Sequence, residues 1–136
     1  MPFVLDASVA ACWCFHDEHN PSADAAYDLL YEDHALVPLQ WWFEVRNVIL
    51  LGERRQRISE EYATSFLDHL ERCAIEFAAL PDHASVFALA RRHRLTFYDA
   101  VYLELAQRER IGLATLDDDL AAAAGAEGVA LISSAR

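Results

Sequence analysis

An α/β fold, with a short, mainly parallel sheet and helices on both faces, is predicted by three observations on the sequence. Short apolar runs alternate with longer stretches of helical periodicity, the signature of strand–helix crossovers rather than hairpins. The runs are apolar throughout instead of alternating, as strands covered on both faces require. A chain of 136 residues with four Gly and four Pro suits one core, and it shows no internal repeat and no linker. The expected unit is a single domain spanning 1–136.

Phe3-Val4-Leu5 is an apolar run ended by Asp6, and Ala7 to Phe15 reads as helix, so the chain opens strand, acid, helix. Ser22 is placed to cap a second helix, in which Ala23, Ala26, Tyr27 and Leu30 recur at helical spacing, and Ala35 to Pro38 follows as a strand. Gln40 to Arg55 makes a long, strongly apolar helix. Ser59 with Glu60 and Glu61 starts another, whose stripe of Tyr62, Phe66, Leu70 and Cys73 stops before a strand at Ala74 to Phe77. Pro81 and Asp82 open a helix to about Arg94, with Val86, Leu89 and Ala90 inward, and Thr96 starts the next, ending near Arg110. Ile111 to Leu116 reads as a strand, Asp117 to Ala124 as a short helix, and Val129 to Ile132 as a last strand.

Composition excludes several chemistries before any site is chosen. Asp and Glu number 22 against 11 basic residues, a formal net charge of -11, and all 11 basic residues are Arg. Without lysine there is no Walker A loop, no Schiff-base or pyridoxal chemistry, and no lysine to stand beside an acyl phosphate. A surface this acidic repels nucleic acid and anionic membrane, so a polyanionic substrate calls for a cation at the site. The amino terminus has no basic leader and no apolar run approaches a membrane span, which gives a cytoplasmic expectation with no membrane contact. The odd set Cys12, Cys14 and Cys73 points to reduced thiols, and Cys12, Cys14, His16 and His19 match no ordinary structural zinc spacing.

Ligands of an open parallel sheet bind beyond the leaving ends of its strands, and Asp6 and Asp117 fall there. Each also has a structural explanation: Asp6 as a helix N-cap, Asp117 with Asp118 and Asp119 at the positive end of a helix. Asp99 follows Thr96 in the spacing of a capping box. Glu44 is the least easily explained, because its helical neighbours Trp41, Val48 and Leu51 are apolar and Arg46 does not share its face. Four acids gathered in one place resist ionisation unless a divalent cation neutralises them, and oxygen-only donors suit Mg²⁺ or Mn²⁺ better than zinc. Ser8, two residues after Asp6, can add a hydroxyl.

With these residues assembled, the chain resembles the PIN-domain family, and within it the VapC-type ribonuclease toxins of bacterial toxin-antitoxin pairs. Phe-Val-Leu-Asp-Ala-Ser-Val at 3–9 is similar to the family's opening motif, and Phe-Glu-Val-Arg-Asn-Val at 43–48 to its helical Glu with a nearby Asn. Thr-Phe-Tyr-Asp-Ala-Val-Tyr-Leu-Glu-Leu-Ala at 96–106 is similar to its third motif, and Leu-Ala-Thr-Leu-Asp at 113–117 to its fourth. The resemblance implies a three-layer PIN-like fold and an endoribonuclease dependent on Mg²⁺ or Mn²⁺. Its acidic quartet is Asp6, Glu44, Asp99 and Asp117, with Asp119 as an outer carboxylate. It also implies a homodimer and a cognate VapB-type antitoxin, with DNA bound only through that antitoxin.

Residues 1–45 carry eight acids and no Arg, a surface for a basic antitoxin segment. Arg46, Arg54, Arg55 and Arg57 form one basic cluster and Arg91, Arg92 and Arg94 another. Of these, Arg46, Arg54, Arg55, Arg91 and Arg92 are the candidates for RNA phosphate, and solvated helix ends are the plain alternative. Trp41 and Trp42 are expected in core and interface, not on RNA. Competing functions are a metal-dependent DNase or structure-specific nuclease, and an inactive scaffold of the same fold that only binds protein. An aspartate-nucleophile phosphatase fails because Asp6-Ala7-Ser8 lacks a second Asp and the chain lacks lysine.

Overall fold

Three-residue strands, apolar except for Glu76, are the scaffold of this chain, described for residues 1–133 by a computed structural model. The elements run β1 (Phe3–Leu5), α1 (Ala7–Cys14), α2 (Pro21–Leu29), β2 (Ala35–Val37), α3 (Leu39–Arg54), α4 (Glu60–Glu71), β3 (Ile75–Phe77), α5 (His83–His93), α6 (Phe97–Glu109), β4 (Gly112–Ala114) and α7 (Asp118–Ala126). All strand pairs are parallel, in the order β3-β2-β1-β4. The first three strands therefore step outward in one direction, and the chain then crosses back to lay β4 on the other side of β1. Helix α1 packs on α2 and α3, and α3 on α4; α6 lies against β1, β4, α5 and α7. The result is the expected three-layer α/β architecture, with the helices that follow β1 and β4 in different layers.

The core sits where β1, with β2 and β4 on its two sides, meets these layers. Phe3, Val4, Leu5 and Leu113 are completely buried, and α6 is buried at every position from Ala100 to Ala106. A helix apolar almost all round belongs in the middle of a domain. Its one acid in that run, Glu104, is buried and held by Arg108 through Nε and Nη2 contacts of 3.1 Å. On the other side, Gly52 lets α3 approach α1: a Cβ there would lie 2.6 Å from the ring of Phe15. Arg57 stacks on the same ring at 4.0 Å and also pairs with Asp17 and Glu18 at 2.8 Å.

The sequence expectations hold for each element type, with three corrections. Asn20, not Ser22, caps α2; its side chain accepts from the Ser22 and Ala23 N–H groups, while Ser22 lies inside the first turn behind Pro21. The strand expected at Val129 to Ile132 reduces to a single parallel bridge between Leu113 and Leu131. Gly128, at φ +76°, turns the chain sharply just before it, so only one residue comes into register. The third strand is at the sheet edge, where Glu76 and Phe77 are exposed rather than covered. The last three positions of the expected domain, 134–136, lie outside the described residues. Among the described residues, no helix is long and apolar enough to cross a membrane.

Because Leu113 on β4 is fully buried between the sheet and the helices, Leu113→Ala should lower unfolding stability by about 2–5 kcal/mol, read from urea denaturation followed by circular dichroism.

Candidate active site

Asp6 is placed by the leaving end of β1, and its backbone continues the ladder: its N–H donates to the Ala114 carbonyl at 2.9 Å. It occupies the N-cap position of α1, yet its side chain makes no capping bond. The carboxylate turns instead toward β4, where Oδ2 accepts from Ser8 Oγ at 2.7 Å and from Thr115 Oγ1 at 2.6 Å. Each hydroxyl is itself oriented by a backbone amide, Ser8 Oγ by Leu116 N–H and Thr115 Oγ1 by Asp117 N–H, both at 3.0 Å. Ser8 thus serves Asp6 as a hydrogen-bond donor. Thr115 has the same role, which the sequence reading missed although Thr115 lies within the quoted fourth motif. Its only sequence signal is its place two residues before Asp117.

The other acids close around this point. Asp117 caps α7 by accepting from the Leu120 N–H at 2.8 Å, so its structural and site positions coincide. Asp99 is in the first turn of α6, where its N–H donates to Thr96 Oγ1 at 3.1 Å, one half of the expected capping box. Glu44 comes from α3. The buried stripe of that helix is Trp41, Val45, Ile49 and Gly52, while Val48 is exposed and Leu51 half-buried. Glu44 therefore borders the core instead of facing it, and a partner from another helix, Tyr102, donates to its Oε1 at 2.5 Å. Asp119 is exposed on the rim.

Electrostatics shows that these groups share one space. Burial raises the Asp6 carboxyl above the usual carboxylate range, Thr115 and Ser8 pull it back, and the Asp117 charge raises it again. Burial also raises Glu44, with Asp6 and Asp99 adding to the effect and Tyr102 opposing it. Asp99 is pushed up to about 6 by burial and by the charges of Asp117, Asp6 and Asp119. All four expected residues are thus brought together, from four different elements. Their donor set is oxygen-only and carries excess negative charge, which fits a hard divalent cation. Among the described residues, no three His, Cys, Asp or Glu side chains converge tightly enough to enclose an ion in this conformation.

The arginines divide. Arg46 stacks on Trp42 at 4.1 Å, donates to the Trp42 carbonyl and faces Glu71 at 3.8 Å. Arg92 pairs at 2.7 Å with Glu127, which His93 and Gln107 also bind. Both are held in contacts within the fold. Arg54 and Arg55 are exposed at the end of α3, about 15 Å along the helix from Glu44. Arg91 is exposed beside Phe87, whose ring meets Phe97 at the start of α6. A cavity of about 840 Å³ lies elsewhere, lined by Pro2, Phe3 and Gly112 at the entering ends of the strands, and none of the four acids reaches it.

A family model of the PIN domain matches residues 3–126. The chain belongs to the PIN-domain family. Ribonuclease VapC3 of Pyrobaculum aerophilum is 34% identical over 127 residues, covering 89% of this chain and 93% of that protein. Among solved structures, PAE2754 from Pyrobaculum aerophilum superposes with a TM-score of 0.75 at 22% identity, over 97% of this chain and 90% of its own. VapC20 of Mycobacterium tuberculosis, described as a sarcin-ricin loop cleaving toxin, gives 0.61 at 16% identity over 90% and 95% of the two chains. A chain of a toxin-antitoxin complex from Klebsiella pneumoniae gives 0.64 at 16% identity over 100% and 99%. These structures share the PIN fold with this chain from end to end.

The raised Asp99 has a consequence for stability. A carboxyl that holds its proton more tightly when folded stabilises the fold below its unfolded value near 3.8, and loses that contribution as pH rises through about 6. In EDTA, Asp99→Asn should therefore be more stable than the natural chain at pH 8, by about 1 kcal/mol once solvent screening of a half-exposed group is allowed for, with the gap closing toward pH 4 in urea denaturation.

Proposed function

We propose that this PIN domain is a metal-dependent endoribonuclease toxin that hydrolyses RNA phosphodiester bonds and is neutralised by a cognate VapB-type antitoxin. The observation that carries the reading is the meeting of Asp6, Glu44, Asp99 and Asp117 at the leaving ends of β1 and β4. In an open parallel sheet with the order β3-β2-β1-β4, ligands bind beyond the leaving ends of neighbouring strands where the order reverses, here between β1 and β4. The ribonuclease name of the VapC3 relative and the sarcin-ricin loop cleaving toxin among the structural neighbours support RNA as the substrate, and the toxin-antitoxin complex supports an antitoxin.

Asp6, Glu44, Asp99 and Asp117 would hold Mg²⁺ or Mn²⁺, with Asp119 as an outer carboxylate. Such an ion, when bound, polarises the phosphate and lowers the pKa of a water it binds. The protein's own share is positional. Ser8 and Thr115 both engage Oδ2 of Asp6 and so block rotation of its carboxylate. Thr96 and Thr115 accept from the Asp99 and Asp117 N–H groups, and the Leu120 N–H holds Asp117 Oδ1. Exposed Arg54, Arg55 and Arg91 are our candidates for RNA phosphate, in preference to Arg46 and Arg92, which internal ion pairs already engage. The early acidic surplus suits a basic antitoxin segment, and DNA contact is assigned to the antitoxin. Exposed Leu39, Phe43, Phe87 and Phe97 support a homodimer that covers them.

Highly purified protein should cleave single-stranded RNA with Mg²⁺ or Mn²⁺ and lose that activity in EDTA. Asp6→Asn and Asp99→Asn should each reduce the rate at least about a hundredfold while keeping the circular dichroism spectrum. Cleavage that survives chelation and both substitutions overturns the site, and preferential cleavage of the matching DNA overturns the substrate.

A second prediction concerns the arginines. Arg54→Ala combined with Arg55→Ala should weaken RNA binding about tenfold at low salt, measured by fluorescence anisotropy with Ca²⁺ in place of Mg²⁺, and the difference should shrink as salt rises.

A further inference from the structure

Glu44 approaches the acidic cluster from α3, and Asp99 from α6, which lies in the other helical layer. Among the described residues, one polar contact joins the Glu44 carboxylate to α6: the Tyr102 hydroxyl, donating to Glu44 Oε1 at 2.5 Å. Tyr102 is completely buried and sits three residues beyond Asp99, on the same side of the helix. Its oxygen also faces the N–H of Ala7, the residue after Asp6. A parallel bridge lies one turn earlier on both helices, where Gln40 Nε2 donates to the Tyr98 carbonyl at 2.8 Å. Gln40 and Glu44 on α3 are thereby matched to Tyr98 and Tyr102 on α6, four residues apart in each case.

A phenylalanine would fill the core position of Tyr102 without burying a hydroxyl, so the oxygen needs a reason of its own. Its proton goes to Glu44. A phenol donating to a carboxylate forms a short, charge-assisted bond with a defined direction, and it fixes which way a flexible Glu side chain points.

We propose that Tyr102 is a positioning residue that holds the Glu44 carboxylate in the divalent-cation site, with Gln40 keeping α3 and α6 in register. It touches neither substrate nor ion and acts through Glu44. The proposal rests on the reading of the four carboxylates as a cation site.

Mn²⁺ binding to the full chain, measured by electron paramagnetic resonance, tests it alongside circular dichroism and thermal unfolding of the metal-free protein. Tyr102→Phe is expected to weaken Mn²⁺ binding about tenfold or more, with a thermal midpoint close to that of the natural chain. In a Glu44→Gln background the same substitution should have no further effect. Unchanged affinity, an equal loss in both backgrounds, or a lowered thermal midpoint with intact affinity each overturns the proposal. Asp6→Asn distinguishes the two readings. If it binds Mn²⁺ like the natural chain, the cation site itself is wrong; if it loses binding while Tyr102→Phe does not, only the positioning role fails. Should Tyr102→Phe not fold, Gln40→Leu, at a half-exposed position, is expected to weaken Mn²⁺ binding in the same direction, and unchanged affinity there overturns the proposal as well.

Discussion

The structure is organised around one buried carboxylate. Asp6 ends the central strand with its side chain out of water, and a charge there is tolerable only if strong donors reach it. Ser8 and Thr115 do so, and each is pinned by an amide of the segment that leaves β4. The same few hydrogen bonds therefore satisfy Asp6, hold β4 in register beside β1, and set the start of α7, on whose cap Asp117 stands. Shifting β4 by one residue would turn Thr115 away from Asp6 and leave the carboxylate buried without that donor.

The second buried acid shows a contrasting solution. Glu104 lies one turn further along α6 than Ala100 and is neutralised by its own helix through Arg108. That pair is complete and inward, so it contributes to the joint between α6 and the 79–82 segment, where Ala79 and Asp82 also engage it. Asp6, Glu44 and Asp99 receive hydroxyl and amide donors but no arginine, and the negative charges around them, with burial, make each harder to ionise. The fold thus separates acids it neutralises from acids it leaves negative, and the second group is the one that attracts a cation. A net charge of -11 is compatible with a nucleic-acid substrate on these terms, because the repulsion is met locally at the site.

Local pattern carried much of the fold into view. Apolar runs and helical stripes gave every helix and the four paired strands to within a residue or two at most ends, because periodicity and capping are properties of neighbouring residues. The failures came where a distant group decided the outcome. Val129 to Ile132 has strand composition, yet only Leu131 finds a partner after the turn at Gly128. Ser22 is a good capping residue, but Pro21 at the first helical position moved the cap to Asn20. The local reason for singling out Glu44 also fails, since Val48 on its face is exposed.

By itself the sequence determined the order of elements, the absence of lysine chemistry, the family, and the four acids at or near strand and helix ends. Only the tertiary structure decided that those acids share a space, that Ser8 and Thr115 serve Asp6, that Tyr102 holds Glu44, and that Arg46 and Arg92 are taken by internal partners. The reason is distance along the chain. Thr115 and Asp6 are 109 residues apart, and Tyr102 and Glu44 are 58 apart. No periodicity encodes such pairs; they exist because a parallel sheet brings the leaving ends of β1 and β4 together and lays α6 against both strands.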